Sequence, residues 1–332
     1  MKSILVTGGG GFVGGNFVRL ALKEKPDFKI TVVDKLGGRE ISPPLAGLKE
    51  SFPESFFLER IDLNDKRLSE LFENEKFDYV LHFAAKNPSG KDMGNPYEFA
   101  ETNIERTAIL LEEVRKAAKK HAIRFVHLSS YEVYGTVIDK PFTEDSPLMP
   151  TTPYAASKAG ADLLSLAYHK TFGIDVISTR TTNIYGPFQS EDKFIPMVIT
   201  KALKNEEIVV FGDGNIVRDW IYVDDHNRGV LKALEEGRSG EVYHIGAKCL
   251  KSQKEVLNKI FKSLISIAKI DLEKMEKLVK FNSGRKAEDQ VRSLETFKLN
   301  KEIGFEIETT FEEGIRKTAM HFVNCFQKGD KV

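Results

Sequence analysis

A chain of 332 residues exceeds one small core and is expected to form one large or two unequal domains. Its 41% hydrophobic and 30% charged residues are ordinary for a soluble globular enzyme, and 49 basic residues against 49 acidic ones give no electrostatic pull toward nucleic acid or an anionic membrane. The cysteines, Cys249 and Cys325, stand apart with no CxxC and no metal-ligand spacing, which argues against a disulfide framework or a metal site and for a reducing, cytoplasmic setting.

In chain order, SILVTG (3–8) comes first, a strand-like run, and no leader peptide is expected. KITVVD (29–34), SFFLERI (55–61), DYVLHFAA (78–85), IRFVHLSS (123–130) and IDVISTR (174–180) follow. These runs are continuously apolar rather than alternating, as expected of parallel strands covered on both faces. Amphipathic helical stretches at 12–24, 65–75, 97–120 and 154–172 lie between them. The βαβ repetition predicts a doubly wound parallel sheet. After about residue 180 the elements become shorter and less regular. The Lys-rich stretch 252–282 is expected to be an exposed amphipathic helix, and 310–327 a closing helix. No apolar run approaches the roughly 18–20 residues of a membrane span.

The first strand and first helix are joined by LVTGGGGFVGGNFV (5–18), with Gly8, Gly11 and Gly14 in G-x-x-G-x-x-G spacing. Glycine permits a tight turn and close approach of backbone to a pyrophosphate, and the helix start offers free N–H groups to the anion. Asp34 ends the second strand. A carboxylate there accepts from adenosine ribose hydroxyls and repels a 2′-phosphate, so NAD is expected rather than NADP. Asp62 is a candidate for the adenine end or, equally, a helix N-cap.

Downstream, TPYAASKAGAD (152–162) sets Tyr154 and Lys158 at i and i+4, on one helix face. A phenol is a poor base at its reference pKa of about 10. A neighbouring ammonium and the charge of an oxidised nicotinamide would favour the phenolate. Ser129 and Ser130 precede this pair at the end of the fifth strand, in HLSSYEVYGT (127–136), and Ser130 is expected to hydrogen-bond the reacting hydroxyl. Such a set suits removal of a hydroxyl proton while hydride leaves the same carbon.

TGGGGFVG, DL (62–63), HFAA (82–85), ETN (101–103), YAASK, NIYGP (183–187) and RDWIYVDD (218–225) together resemble the extended short-chain dehydrogenase/reductase family of nucleotide-sugar epimerases, dehydratases and decarboxylases, over nearly the whole chain. The resemblance implies an α/β fold: a Rossmann-type NAD-binding sheet over 1–180 carrying the YxxxK helix, and a smaller mixed α/β domain over 181–332. The second domain would mainly bind a nucleotide-diphosphate sugar, with some chain crossing between the two. A homodimer through the helices after Asn103 and around Tyr154 is also implied. Cofactor contacts are implied for Gly8, Gly11, Phe12, Val13, Asp34, Lys35, Asp62, Leu63, Phe83, Ala84, Ala85, Asn103, Ser129, Tyr154 and Lys158. Substrate contacts are implied for Lys86, Asn183, Lys193, Phe194, Ile195, Arg218 and Arg285, the arginines being suited to bidentate phosphate contacts.

Within the family the chain is most similar to the dTDP-glucose 4,6-dehydratases. DKL (34–36), EDKFIPMVI (191–199) and Trp220 in RDWIYVDDH carry that likeness. Chemistry points the same way: elimination of water across C5–C6 of a 4-ketosugar needs a positioned base at C5, and Glu132, two residues after Ser130, suits it. Tyr131 is the departure, since that group is expected to carry an aspartic acid there to protonate the leaving C6 hydroxyl. Three readings stay open. Glu132 serves as base and acid, as in GDP-mannose dehydratases; Tyr131 or a water gives the proton; or the reaction is UDP-glucuronate decarboxylation or hexose 4-epimerisation. The loop KNPSGKDMGNP (86–96) also lacks the group's usual Ser-His-Val run. The expected function is an NAD-dependent dehydration of a dTDP-, UDP- or GDP-hexose: C4 oxidation, elimination, and hydride return to C6. A non-catalytic nucleotide-binding module is the rival from another class, and the intact Tyr154/Lys158 pair argues against it.

Overall fold

The computed structural model describes residues 1–88, 95–136, 140–282 and 291–329, with 291 and 292 described by backbone alone. The apolar runs of the first half form β1 (Lys2–Thr7), β2 (Phe28–Val33), β3 (Phe56–Glu59), β4 (Tyr79–His82), β5 (Arg124–Leu128) and β6 (Asp175–Thr181). Later strands are β7 (Asn183–Tyr185), β8 (Ile208–Phe211), β9 (Val217–Tyr222), β10 (Val242–Ile245), β11 (Leu250–Ser252), β12 (Val279–Asn282) and β13 (Val291–Arg292). A seven-stranded sheet runs β10-β6-β5-β4-β1-β2-β3, and every pairing in it is parallel.

Both faces of this sheet are covered, which is why its strands read as unbroken apolar runs. Ile4, Val6 and Ile30 pack with the helices Phe12–Glu24 and Val223–Glu236 on one face. Leu5, Val80 and Phe125 pack with Arg67–Asn74, Arg106–Ala118 and Pro153–Phe172 on the other. The helix Pro153–Phe172 starts where Thr152 accepts from the Ala155 N–H with Pro153 in the first turn, and it ends at Gly173 in the left-handed region (φ 69°). Two expected strands run past the observed ones. DYVLHFAA leaves the sheet after His82 and IRFVHLSS after Leu128; the residues beyond each strand form the floor of the site.

Only Thr182 separates β6 from β7, and there the chain leaves the parallel sheet. β9 lies between β11, antiparallel to it, and β13, parallel to it; β7 also pairs with β9 in parallel, and β8 pairs with β12. A second core of Tyr185, Trp220, Ile260 and Phe322 lies beneath them. β10 then returns to the first sheet beside β6. The stretch 252–282 departs from expectation. It is two helices, Gln253–Ala268 and Leu272–Leu278, followed by β12. The break falls at Lys269, left-handed at φ 58°. Val256, Ile260 and Leu264 are fully buried at helical spacing, so one face is core rather than solvated.

Candidate active site

Carboxyl ends of parallel strands are where doubly wound folds bind ligands. Here the ends of β1, β2, β4, β5 and β6 open on a cavity of about 870 Å³. One end is built by the glycine loop. Gly8 has φ +71°, and a Cβ on it would lie 2.4 Å from the Ala84 nitrogen; a Cβ on Gly14 would lie 2.5 Å from the Gly8 carbonyl oxygen. Nothing but glycine fits either place. Gly11 is the N-cap of Phe12–Glu24, whose first turn holds no acidic residue, so its free N–H groups can face an anion. Gly10 and Leu36 donate backbone N–H bonds to the two Asp34 oxygens at 2.9 and 2.7 Å. The carboxylate is thereby fixed in place with lone pairs to spare. A cradle that a Cβ would fill, a helix start and a fixed acid together fit a dinucleotide.

Gly8, Gly11, Phe12, Val13, Asp34, Lys35, Asp62, Leu63, Phe83, Ala84, Ala85, Ser129, Tyr154 and Lys158 all line this cavity. Asp62 is ion-paired to Arg106, whose other guanidinium nitrogen reaches Glu101 at 2.9 Å. Asp62 is not the N-cap of the helix Arg67–Asn74, which is Lys66; just ahead of it Asp65 accepts from the Arg67 N–H at 3.0 Å. Asn103 does not line the cavity. It is buried in a π-helical turn, Ala100–Glu105, where it donates to Ser157 Oγ at 2.8 Å and brackets the Lys86 backbone. Ser157 in turn donates to the Tyr154 carbonyl at 2.7 Å, so Asn103 steadies the YxxxK helix from behind.

At the other end Ser130 caps the short turn Tyr131–Tyr134, its Oγ accepting from the Glu132 N–H at 3.2 Å. Ser130, Tyr131, Glu132, Tyr154 and Lys158 all line the cavity. Lys158 donates to the Leu128 carbonyl at 2.6 Å; burial lowers its ammonium to about 8, against the opposing effect of Asp162. Burial pushes the Tyr154 phenol up, Glu132 and Tyr131 add to this, and the Ser130 hydrogen bond opposes it. Burial is the largest of these influences. Tyr131 is 4% exposed, and its hydroxyl donates to Asn183 Oδ1 at 2.9 Å.

Of the expected substrate residues, Asn183, Lys193, Phe194 and Ile195 line the cavity. Lys193 Nζ contacts the Pro88 carbonyl and Asp192 at 2.7 and 3.0 Å. Lys86 instead pairs with Glu98 at 2.8 Å, and Arg218 on β9 is not among the lining residues. Arg285 lies outside the described residues. Sequence reasoning missed Arg106 and His226, both in the lining. Arg106 follows Asn103 by three positions, one helical turn, which was the available signal. His226 closes the quoted RDWIYVDDH segment. It is buried, held by burial at about 4, and has no partner for Nε2 among the described residues.

A family model described as GDP-mannose 4,6 dehydratase matches residues 5–318. A dTDP-glucose 4,6-dehydratase of Haemophilus influenzae is 36% identical, over 97% of this chain and 98% of that protein. The crystal structure of a dTDP-glucose 4,6-dehydratase from Bacillus anthracis in complex with NAD superposes with a TM-score of 0.85 at 32% identity, covering 98% of each chain. A UDP-glucuronic acid 4-epimerase from Bacillus cereus, solved with UDP-glucuronic acid and NAD, superposes with a TM-score of 0.83 at 26% identity, covering 97% of this chain and 99% of that one.

Proposed function

This chain belongs to the GDP-mannose 4,6-dehydratase family of nucleotide-sugar enzymes, and from that membership we propose how its cavity works. The enzyme is an NAD-dependent nucleotide-sugar 4,6-dehydratase, a hydro-lyase. We take dTDP-glucose as its substrate because the relatives act under that name.

NAD, which the Gly8–Gly14 cradle and Asp34 would hold, would supply the hydride chemistry at C4 and C6, and its positive charge would oppose the upward shift of the phenol. Tyr154, oriented by Ser130, takes the C4 hydroxyl proton. Lys158, held on the Leu128 carbonyl, keeps a positive charge in the buried wall beside it. Glu132 then takes the C5 proton, which the new C4 ketone has made acidic. Tyr131 gives its proton to the departing C6 hydroxyl, which leaves as water. Glu132 finally returns its proton to C5. Return of the proton gained by Tyr154 to the Tyr131 phenolate then restores base and acid alike, and the cycle closes. At the cofactor end, Asp34 would accept from the adenosine ribose and the Asp62–Arg106 pair would border the adenine. Asn183, Lys193 and the start of the helix Phe194–Lys204 hold the sugar diphosphate.

One observation carries this reading: Ser130, Glu132 and Tyr154 converge on a cavity whose far end is the glycine cradle. Incubation with dTDP-, UDP- and GDP-hexoses, followed by mass spectrometry, tests it. Loss of one water from dTDP-glucose is expected, and no dehydrated product from any donor sinks the reading. A second reading rests on Tyr131, a phenol where the dehydratases are expected to offer a carboxylic acid: a UDP-uronate decarboxylase, which carbon dioxide release would reveal. We further propose the division at about residue 180 into an NAD-binding and a mainly sugar-binding part. A homodimer is supported by Leu163 and Phe172, half-exposed on the helix Pro153–Phe172. A cytoplasmic setting is supported by two free cysteines. Among the described residues no helix is long and apolar enough to cross a membrane.

A further inference from the structure

Tyr134 ends the same short turn that carries Glu132, and it is nearly inaccessible, at 2% exposure. Its hydroxyl sits at the centre of a buried chain of hydrogen bonds. His244 on β10 uses Nδ1 on the Glu295 carbonyl at 2.8 Å, so Nδ1 carries the hydrogen and Nε2 is the acceptor. The Tyr134 hydroxyl therefore donates to His244 Nε2, at 2.6 Å, and accepts from Arg180 at 2.5 Å. Arg180 also pairs with Asp162 at 2.7 Å, with side-chain exposures of 4% and 0%. Asp162 stands one helical turn after Lys158, and its charge is felt there. The Tyr134 ring is stacked on Phe142 at 4.8 Å, and Phe142 pairs with Leu294 in an isolated parallel bridge. Burial lowers His244 to about 3, so the imidazole stays neutral and keeps accepting.

Nothing in the mechanism uses these groups, yet a buried ion pair and buried hydroxyl are costly unless every member is satisfied. What they join is informative. Tyr134 lies on the turn of the C5 base, Asp162 on the helix of Tyr154 and Lys158, and His244 and Leu294 on chain from the second half. Tyr154 is carried by a 20-residue helix. Glu132 rides on a turn of four residues. We propose that Tyr134 is a positioning residue, locking the Glu132 turn to the YxxxK helix through Arg180 and Asp162, so that its loss slows elimination more than C4 oxidation.

This inference rests on the dehydratase reading, and the test separates the two. Wild-type loss of water from dTDP-glucose decides the reading; comparison of variants decides the inference. In Tyr134→Phe holoenzyme the ring stack survives and the hydroxyl is gone. Amide hydrogen exchange over 130–136, measured without substrate, should become faster than in the wild type. On mixing with dTDP-glucose, dehydration should slow about tenfold or more. The absorbance of bound reduced nicotinamide should rise and persist, because C4 oxidation then outpaces elimination. His244→Gln, which keeps an acceptor, should stay near wild type while His244→Leu reproduces Tyr134→Phe; this pair serves if Tyr134→Phe does not fold. Unchanged amide exchange with an unchanged nicotinamide transient would overturn the proposal. So would equal slowing of oxidation and elimination.

Discussion

At the cofactor end the cavity is made of backbone; at the sugar end it is made of side chains. Gly8 and Gly14 act by lacking a side chain, and Asp34 is held by two main-chain N–H groups. In the proposed mechanism Ser130, Tyr131 and Glu132 act through their functional groups, on a turn anchored by Asn183, Arg180 and His244. The contrast teaches where change is tolerated. A backbone cradle admits no substitution at its close contacts and serves one ligand. A side-chain wall can exchange one group for another, here a phenol for an expected acid, and alter the reaction within the same frame.

The contrast can be broken at several points. The largest effect is expected from Glu132→Gln: dehydration should fall by about 10²–10³ while NAD stays bound and C4 oxidation remains visible as reduced nicotinamide. Intact turnover would remove Glu132 as the base. Next is Lys158, whose unfolded ammonium titrates near 10.5 and whose folded one titrates at about 8. Between those values the unfolded chain holds more protons, so this group makes the cofactor-free protein more stable as pH rises from 8 toward 10.5. The gain is at most on the order of 3 kcal/mol. Denaturant titrations of wild type and Lys158→Met across that window should diverge; parallel curves would contradict it. Gly8→Ala, at the cofactor end, should cost about 1–3 kcal/mol through a strained positive φ alone, with further loss from the collision with Ala84. Its melting temperature and the NAD content of the purified protein should both drop, with no selective loss of elimination. The smallest effect sharpens the sugar end. Tyr131→Phe should slow elimination about tenfold and leave NAD content alone; an unchanged rate would assign the proton to water or to Glu132.

The parallel sheet was legible because strands buried on both faces must be continuously apolar, and the glycine spacing because a cofactor cradle leaves no room for Cβ. Asp34 and the Tyr154/Lys158 pair were legible for a similar reason: a strand end and a helix period fix their direction. Arg106 and His226 were not, since their place in the cavity depends on how distant elements fold against one another. Asn103 was expected as a cofactor contact and stands behind the cavity as a buried brace, a role that only its hydrogen bonds to Ser157 and Lys86 make visible. The stretch 252–282 misled because its lysines dominate the composition, while Val256, Ile260 and Leu264 sit beneath them.

The return of β10 to the edge of β6 has a bearing on inheritance. Cutting the chain after Thr181 would strip β6 of its outer partner and the helix Phe12–Glu24 of the packing it shares with Val223–Glu236. Neither half is a cassette. A second half exchanged with a relative's would have to bring a strand that fits the β6 edge and a helix that fits Phe12–Glu24, so the seam between the halves is inherited together.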